Sequence, residues 1–306
     1  DPGETVTCTF TNAQGSIKIV KDADPDDPQD FCFSGDLPDV NGASPGDFCL
    51  DDDSDSTLSN THAASQPPGT YAVTEDPAPS VWNFTSIVCT GDTDGGSVIN
   101  LGTRTVTIDL DAGESITCTF TNTKLAKIKV DKVTTPSGDP QLFTFTVTGP
   151  TACGPLSLAD ATAPATCSNL TSGTYTITET VPTGWSLAGV NCVGGPFGLG
   201  GSYTNGANIA VSPGDDITCT FNDTKLGKII VEKQTVPDGD LQTFTFSGNA
   251  AGNISDGQQI VVNNLLPGTY TSTETVPVGW DLTSITCDDT NSSGAGFTAT
   301  FQLEAG

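Results

Sequence analysis

Methionine is absent from the 306 residues, histidine occurs once (His62), and 10 Lys and Arg face 37 Asp and Glu. Each shortage excludes something. Without Met, even at the first position, the chain reads as a processed mature protein or an excised segment. A single His leaves no multi-histidine metal centre and no catalytic His per domain. A formal charge of −27 lacks the Lys/Arg stripes that nucleic-acid phosphates and anionic membranes attract. No apolar run nears the roughly 20 residues of a membrane helix, so no membrane insertion is expected. The Gly-rich Gly194–Gly201 stretch has no strand–glycine loop–helix context and reads as a surface loop between cysteines. No cofactor is implied, and nothing marks an enzyme. What the chain does have is ten Cys, an even number, in an acidic, Thr/Gly-rich setting. That combination places it in an oxidising, extracellular compartment.

Three strings recur in fixed order. Gly-Thr-Tyr-x-x-Thr-Glu ends at Glu75, Glu179 and Glu274, followed each time by Pro and one of the three Trp (Trp82, Trp185, Trp280). A Cys lies seven residues beyond each Trp, at Cys89, Cys192 and Cys287. An alternating run ends in Lys21, Lys132 and Lys233, and Cys-Thr-Phe appears at Cys8, Cys118 and Cys219. This is a threefold tandem repeat of single-domain length. Period-2 runs of Thr, Val, Ile and Phe, broken by Pro-Gly, Asp-Gly and Gly-Gly, make each unit an Ig-like all-β sandwich. The reading gives modules at 13–123, 124–224 and 225–306 behind a segment 1–12, joined end to end as a semi-rigid rod.

The repeat is out of phase with the chain. Modules 1 and 2 close with the Cys-Thr-Phe strand; module 3 stops without it, and the spare copy, Thr5–Asn12, stands at the N-terminus. Cys89–Cys118 and Cys192–Cys219 pair a late strand with the last one, and Cys32–Cys49 and Cys153–Cys167 are local pairs. Cys8 and Cys287 remain, too far apart in a straight rod to bridge within one chain, so Cys287 is expected to pair with Cys8 of a neighbour. Val6, Cys8 and Phe10 share one face and suit an apolar groove left by the missing strand. Strand donation of this kind is heterologous and generates a linear or helical homopolymer. The other reading is one period of a longer tandem chain, with an ordinary peptide bond after Gly306.

The Gly-Thr-Tyr-x-x-Thr-Glu-x-x-Pro-x-Gly-Trp string resembles the E-box of collagen-adhesin B-type (prealbumin-like, SpaA-type) domains of bacterial surface proteins and pilins. The resemblance implies prealbumin-like sandwiches in which Lys and Asn join as an isopeptide, assisted by the E-box Glu. The matching sets are Lys21/Glu75/Asn122, Lys132/Glu179/Asp223, and Lys233/Glu274 with Asn12 of the neighbour. Strand phase turns all of these inward, where an unpaired charge is costly. Asp223 departs from the usual Asn. An unreacted buried network is the alternative.

Twelve Asp fall between Asp22 and Asp55; Asp51, Asp53 and Asp55 are the one weak Ca²⁺ candidate, although a solvated acidic face fits the pattern better. Sequons at Asn83, Asn169, Asn222, Asn253 and Asn291 permit surface glycans. His62 reads as a non-catalytic loop residue. The expected function is a structural subunit of an extracellular, pilus-like surface filament with itself as partner; the alternative is a stalk segment of a tandem-repeat adhesin.

Overall fold

A computed structural model describes residues 2–38, 46–53, 55, 58–195 and 199–306. Among them there is no helix. Module 1 contains β1 (Gly15–Asp24), β2 (Asp27–Gly35), β3 (Phe48–Asp52), β4 (Thr61–Gln66), β5 (Gly69–Glu75), β6 (Trp82–Thr90), β7 (Val98–Asn100), β8 (Thr105–Leu110) and β9 (Ser115–Lys124). Module 2 contains β10 (Ala126–Thr135), β11 (Phe143–Thr148), β12 (Cys153–Leu158), β13 (Ala165–Leu170), β14 (Gly173–Thr180), β15 (Trp185–Gly194), β16 (Leu199–Tyr203), β17 (Asn208–Val211) and β18 (Asp216–Lys225). Module 3 has β19 (Gly227–Glu232), β20 (Phe244–Gly248), β21 (Gly252–Ile254), β22 (Gln259–Leu265), β23 (Gly268–Thr275), β24 (Ser293–Ala295) and β25 (Thr298–Leu303).

Each complete module stacks two sheets. In module 1 the orders are β4-β1-β9-β6 and β3-β2-β5-β8-β7; in module 2 they are β13-β10-β18-β15-β16 and β12-β11-β14-β17. Alternation in sequence is what makes the sandwich: Ile17, Ile19, Ile116, Cys118 and Phe120 are fully buried, while the Thr between them face out. The last strand runs parallel to the first, with Ile17 opposite Ile116 and Ile19 opposite Cys118. It is antiparallel to β6, with Cys89 opposite Cys118. Phe33 of one sheet meets Phe120 of the other edge-on at 5.1 Å, and Phe145 meets Phe221 at 5.0 Å. These interlocking rings close the core. Gly91, at φ +88°, lets β9 approach: a Cβ there would lie 2.0 Å from the Ser115 carbonyl oxygen.

Module 3 lacks this closure. Its second sheet is intact, in the order β21-β20-β23-β25-β24, but β19 pairs with β22 alone. Residues 281–287, the counterpart of β6, form no strand. A small core cluster holds Phe244, Phe246 and Ile254, with Val231, Ile260 and Trp280 half-buried against it, and Ile229 and Ala250 are buried as well.

Residues 5–12 form no strand within the single chain and lie exposed, Phe10 at 92% and Val6 at 74%. Two sequence expectations need correction. Gly194–Gly201 is not simply a loop, since Gly194 closes β15 and residues 199–201 open its hairpin partner β16; residues 196–198 lie outside the described residues. His62 is not a loop residue either. It is buried in β4 and stacks on Phe48 at 4.1 Å, where an apolar contact fixes it.

Candidate functional site

Lys21 and Lys132 lie within the first strand of their modules and Lys233 directly follows its own, and strand phase carries them inward. Lys21 and Lys132 are 1% and 2% exposed, and Lys233, just past β19, is half-buried. Each ammonium lies over a phenylalanine of the following strand: Phe31 at 4.2 Å, Phe143 at 4.2 Å and Phe244 at 4.1 Å. These three rings in turn meet the repeat tryptophans edge-on, at 5.3 Å from Trp82, 5.2 Å from Trp185 and 5.3 Å from Trp280. The sequence reading missed the three Phe. Their signal was a Phe-x-Phe pair after each Lys: Phe31/Phe33, Phe143/Phe145 and Phe244/Phe246.

In module 1, Lys21 Nζ donates to the carbonyl oxygens of Asp22 at 2.8 Å and Phe120 at 3.0 Å. Asn122 Nδ2 donates to Glu75 Oε1 at 2.7 Å, with both residues at 0% exposure. Asn122 Oδ1 and Glu75 Oε2 have no hydrogen-bond partner. Burial drives the ionisation here. It pushes Lys21 down to about 8 against the opposing pull of Glu75, and it pushes Glu75 up against the pull of Lys21. Both shifts favour a neutral amine beside a neutral acid.

Module 2 holds the same constellation with a carboxylate in place of the amide. Lys132 Nζ donates to Asp223 Oδ2 and lies 3.3 Å from Glu179 Oε1, and all three side chains are fully buried. Lys132 Nζ also donates to the Phe221 carbonyl oxygen at 3.1 Å. Burial first, then the neighbouring Asp223, pushes Glu179 up to about 7, while Lys132 opposes the shift. In module 3, Lys233 meets Glu274 at 2.8 Å.

Four disulfides form: Cys32–Cys49, Cys89–Cys118, Cys153–Cys167 and Cys192–Cys219. Cys8, exposed, and Cys287, half-buried, are free thiols. Burial, then the Asp289 and Asp288 carboxylates, pushes the Cys287 thiol up. Carboxylate oxygens of Asp51, Asp53 and Asp55 gather within 4.8 Å, as do those of Asp92, Asp94 and Glu114. In the second cluster Glu114 accepts from Thr93 N, Thr93 Oγ1 and Asp111 N, bonds that tie the turn before β9 to its neighbour. Of the sequons, Asn83, Asn169, Asn253 and Asn291 are exposed and Asn222 is half-buried.

A model of the prealbumin-like fold domain, SpaA type, matches residues 17–124, 128–225 and 229–306. The chain belongs to that family. Its three copies account for nearly all of the prealbumin-like chain apart from the N-terminal segment. Among solved structures, it resembles the TIE protein of Bacillus anthracis at 18% identity and TM-score 0.33, covering 95% of this chain and 49% of that one. This prealbumin-like chain thus spans about half the length of that protein. The major pilin T-13 of Streptococcus pyogenes is 15% identical, TM-score 0.29, covering 69% of this chain and 98% of the pilin. The pilus adhesin SpaC of Lactobacillus rhamnosus GG, in its open conformation, is 16% identical, TM-score 0.30, covering 88% and 37%. No curated protein matches the chain.

Proposed function

We propose that this chain is the structural subunit of an extracellular, pilus-like surface filament, assembled head to tail by strand donation. One observation carries the reading. Module 3 presents a cleft of about 400 Å³ where modules 1 and 2 hold their last strand, and the same chain carries an unpaired segment with the residue pattern of that strand. Val231, Lys233, Phe246, Trp280, Ile285 and Phe297 line the cleft.

The register follows from module 1. Transferring the β9 pairings onto the segment sets Val6 opposite Ile229, Cys8 between Val231 and Cys287, Phe10 between Lys233 and Ile285, and Asn12 opposite Leu282. Phe10 then meets Phe246 as Phe120 meets Phe33. Burying Val6 and Phe10 contributes roughly 1.5–3 kcal/mol each, and a ladder of backbone hydrogen bonds adds to this. Module 3 has Asp289 where Gly91 lets β9 approach, so the new ladder opens just before Val6.

Two covalent steps would then lock the join. Cys8 of one copy and Cys287 of the next lose two protons and two electrons to an external disulfide and become a bridge. Within modules, Lys21 Nζ attacks Asn122 Cγ while protonated Glu75 polarises the amide oxygen; the C–N bond to Lys forms and ammonia leaves. Lys132 and Asp223 would lose water instead, and Lys233 would join Asn12 of the neighbour with loss of ammonia.

A non-reducing gel of purified polymer tests the assembly. A ladder that collapses to a single subunit band on reduction is expected if only disulfides cross the join, whereas mass surviving reduction means isopeptide or peptide continuity. A tandem-repeat stalk would show such continuity with no Lys233–Asn12 cross-linked peptide after digestion. Reduced intact mass should fall short of the sequence mass by one ammonia for module 1 and one water for module 2. Because Lys21 is protonated below about 8, the ammonia loss after refolding should slow about tenfold per pH unit below that point. A full-length mass equal to the sequence sum at every pH rules the cross-links out.

A further inference from the structure

The joins inside the chain follow one pattern. Gly214 N donates to the Lys124 carbonyl oxygen at 3.0 Å, and a Cβ on Gly214 would lie 3.2 Å from Lys124 Cδ and 3.3 Å from Pro25 Cδ. One repeat on, a Cβ on Gly306 would lie 3.7 Å from both Lys225 Cδ and Pro136 Cδ. In both cases a turn glycine rests against the last lysine of a closing strand and the proline that follows a first strand.

Half of a third such join is already built. Gly113 N donates to the Gln14 carbonyl oxygen at 3.2 Å. Gln14 lies six residues after Cys8, as Lys124 lies six after Cys118 and Lys225 six after Cys219. The other half, a proline after a first strand, exists in module 3 as Pro237. Around it the sequence changes character. Leu241, 89% exposed, replaces Pro28 and Pro140, and Val278, fully exposed, replaces Thr183. At internal joins a peptide bond holds the neighbours together. Between copies, buried area must do so before any covalent link forms, and Leu241 and Val278 supply exposed aliphatic surface in module 3.

We propose that a second copy seats its module 1 turn, Asp111–Gly113, on the Pro237 end of module 3, over Leu241 and Val278. The join between copies then repeats the joins within a copy. This contact rests on the strand-donation reading and lies outside the cleft that the donated strand fills.

The test separates the two. A labelled synthetic peptide of residues 1–14 reads the cleft alone, and the assembly threshold of the full chain under reducing conditions reads cleft and docked turn together. The Leu241→Asp/Val278→Asp chain should bind the peptide within about twofold of the parent, both in a Phe10→Asp background that keeps the cleft empty. Its assembly threshold should rise about tenfold or more. Ala112→Asp should raise the threshold from the opposite surface, and adding Val278→Lys should lower it again. An unchanged threshold in a variant that binds the peptide overturns the docked turn and leaves strand donation standing. Failure of the parent to bind the peptide overturns both.

Discussion

Phe10→Asp should leave the chain folded but monomeric at concentrations where the intact chain polymerises. The reason is the asymmetry of cost. In the free subunit Phe10 is 92% exposed, so the substitution removes nothing from the monomer. In the join it would set a carboxylate between Ile285 and the Phe246 face, where Phe120 sits in module 1. Losing a buried Phe costs about 3–5 kcal/mol, and Lys233, the nearest cation in this register, is already paired with Glu274, so the desolvated carboxylate regains little of it. Loss of about 4 kcal/mol is roughly a thousandfold in association. Sedimentation velocity in reducing buffer reads the outcome. Module 3 should also melt first in this variant, since its first sheet has two strands, β19 and β22, and peptide 1–14 added in trans should raise that transition. Polymer formed at the parental threshold by the Phe10→Asp chain would remove the donated strand from the account.

Lys132→Met should cost module 2 about 3–5 kcal/mol, among the largest single-residue losses in the molecule. Two carboxyl groups, Glu179 and Asp223, would remain fully buried with no lysine between them. The pH dependence carries the signature. Glu179 is already raised to about 7 by burial, and Lys132 is the group that opposes the rise. Removing it raises the folded-state value further above that of the unfolded chain. A carboxyl shifted upward binds its proton more tightly when folded, so its stabilising contribution is present below the unfolded value. It is lost as pH rises through the folded one. Module 2 of the variant should therefore be more stable near pH 4.5 than near pH 8, the reverse of ordinary acid denaturation. Restoring an apolar site by changing Glu179 to Gln and Asp223 to Asn in the same chain should recover part of the loss. Thermal melts across that range measure it, and a flat profile would mean the carboxyls are not buried together.

The strands that shape the site were legible because their pattern is local. Ile17-Lys-Ile-Val-Lys21 and Cys118-Thr-Phe-Thr-Asn122 alternate with period two, so the inward placement of Lys21 and Asn122 follows from phase alone. The four within-chain cysteine pairs followed from repeat spacing. What phase cannot give is which ring faces which lysine, because Phe31 and Phe143 reach Lys21 and Lys132 through packing between strands, not along one. His62 failed for the same reason: its Asp- and Ser-rich neighbourhood reads as loop, but pairing of β4 with β1 and stacking on Phe48 override composition. Thr5–Asn12 shows the converse. Its alternation is as clear as that of β9, but one chain offers it no ladder to join.

The parallel pairing of β1 with β9 has a mechanical consequence. The chain enters module 1 at the start of β1 and leaves at the end of β9, and these strands lie side by side pointing the same way over Ser16–Asp24 and Ser115–Thr123. A pull on the two ends in opposite directions therefore slides one strand along the other. It loads the whole row of hydrogen bonds together instead of unzipping them one at a time, and a bond between Lys21 and Asn122 would stop the slide altogether.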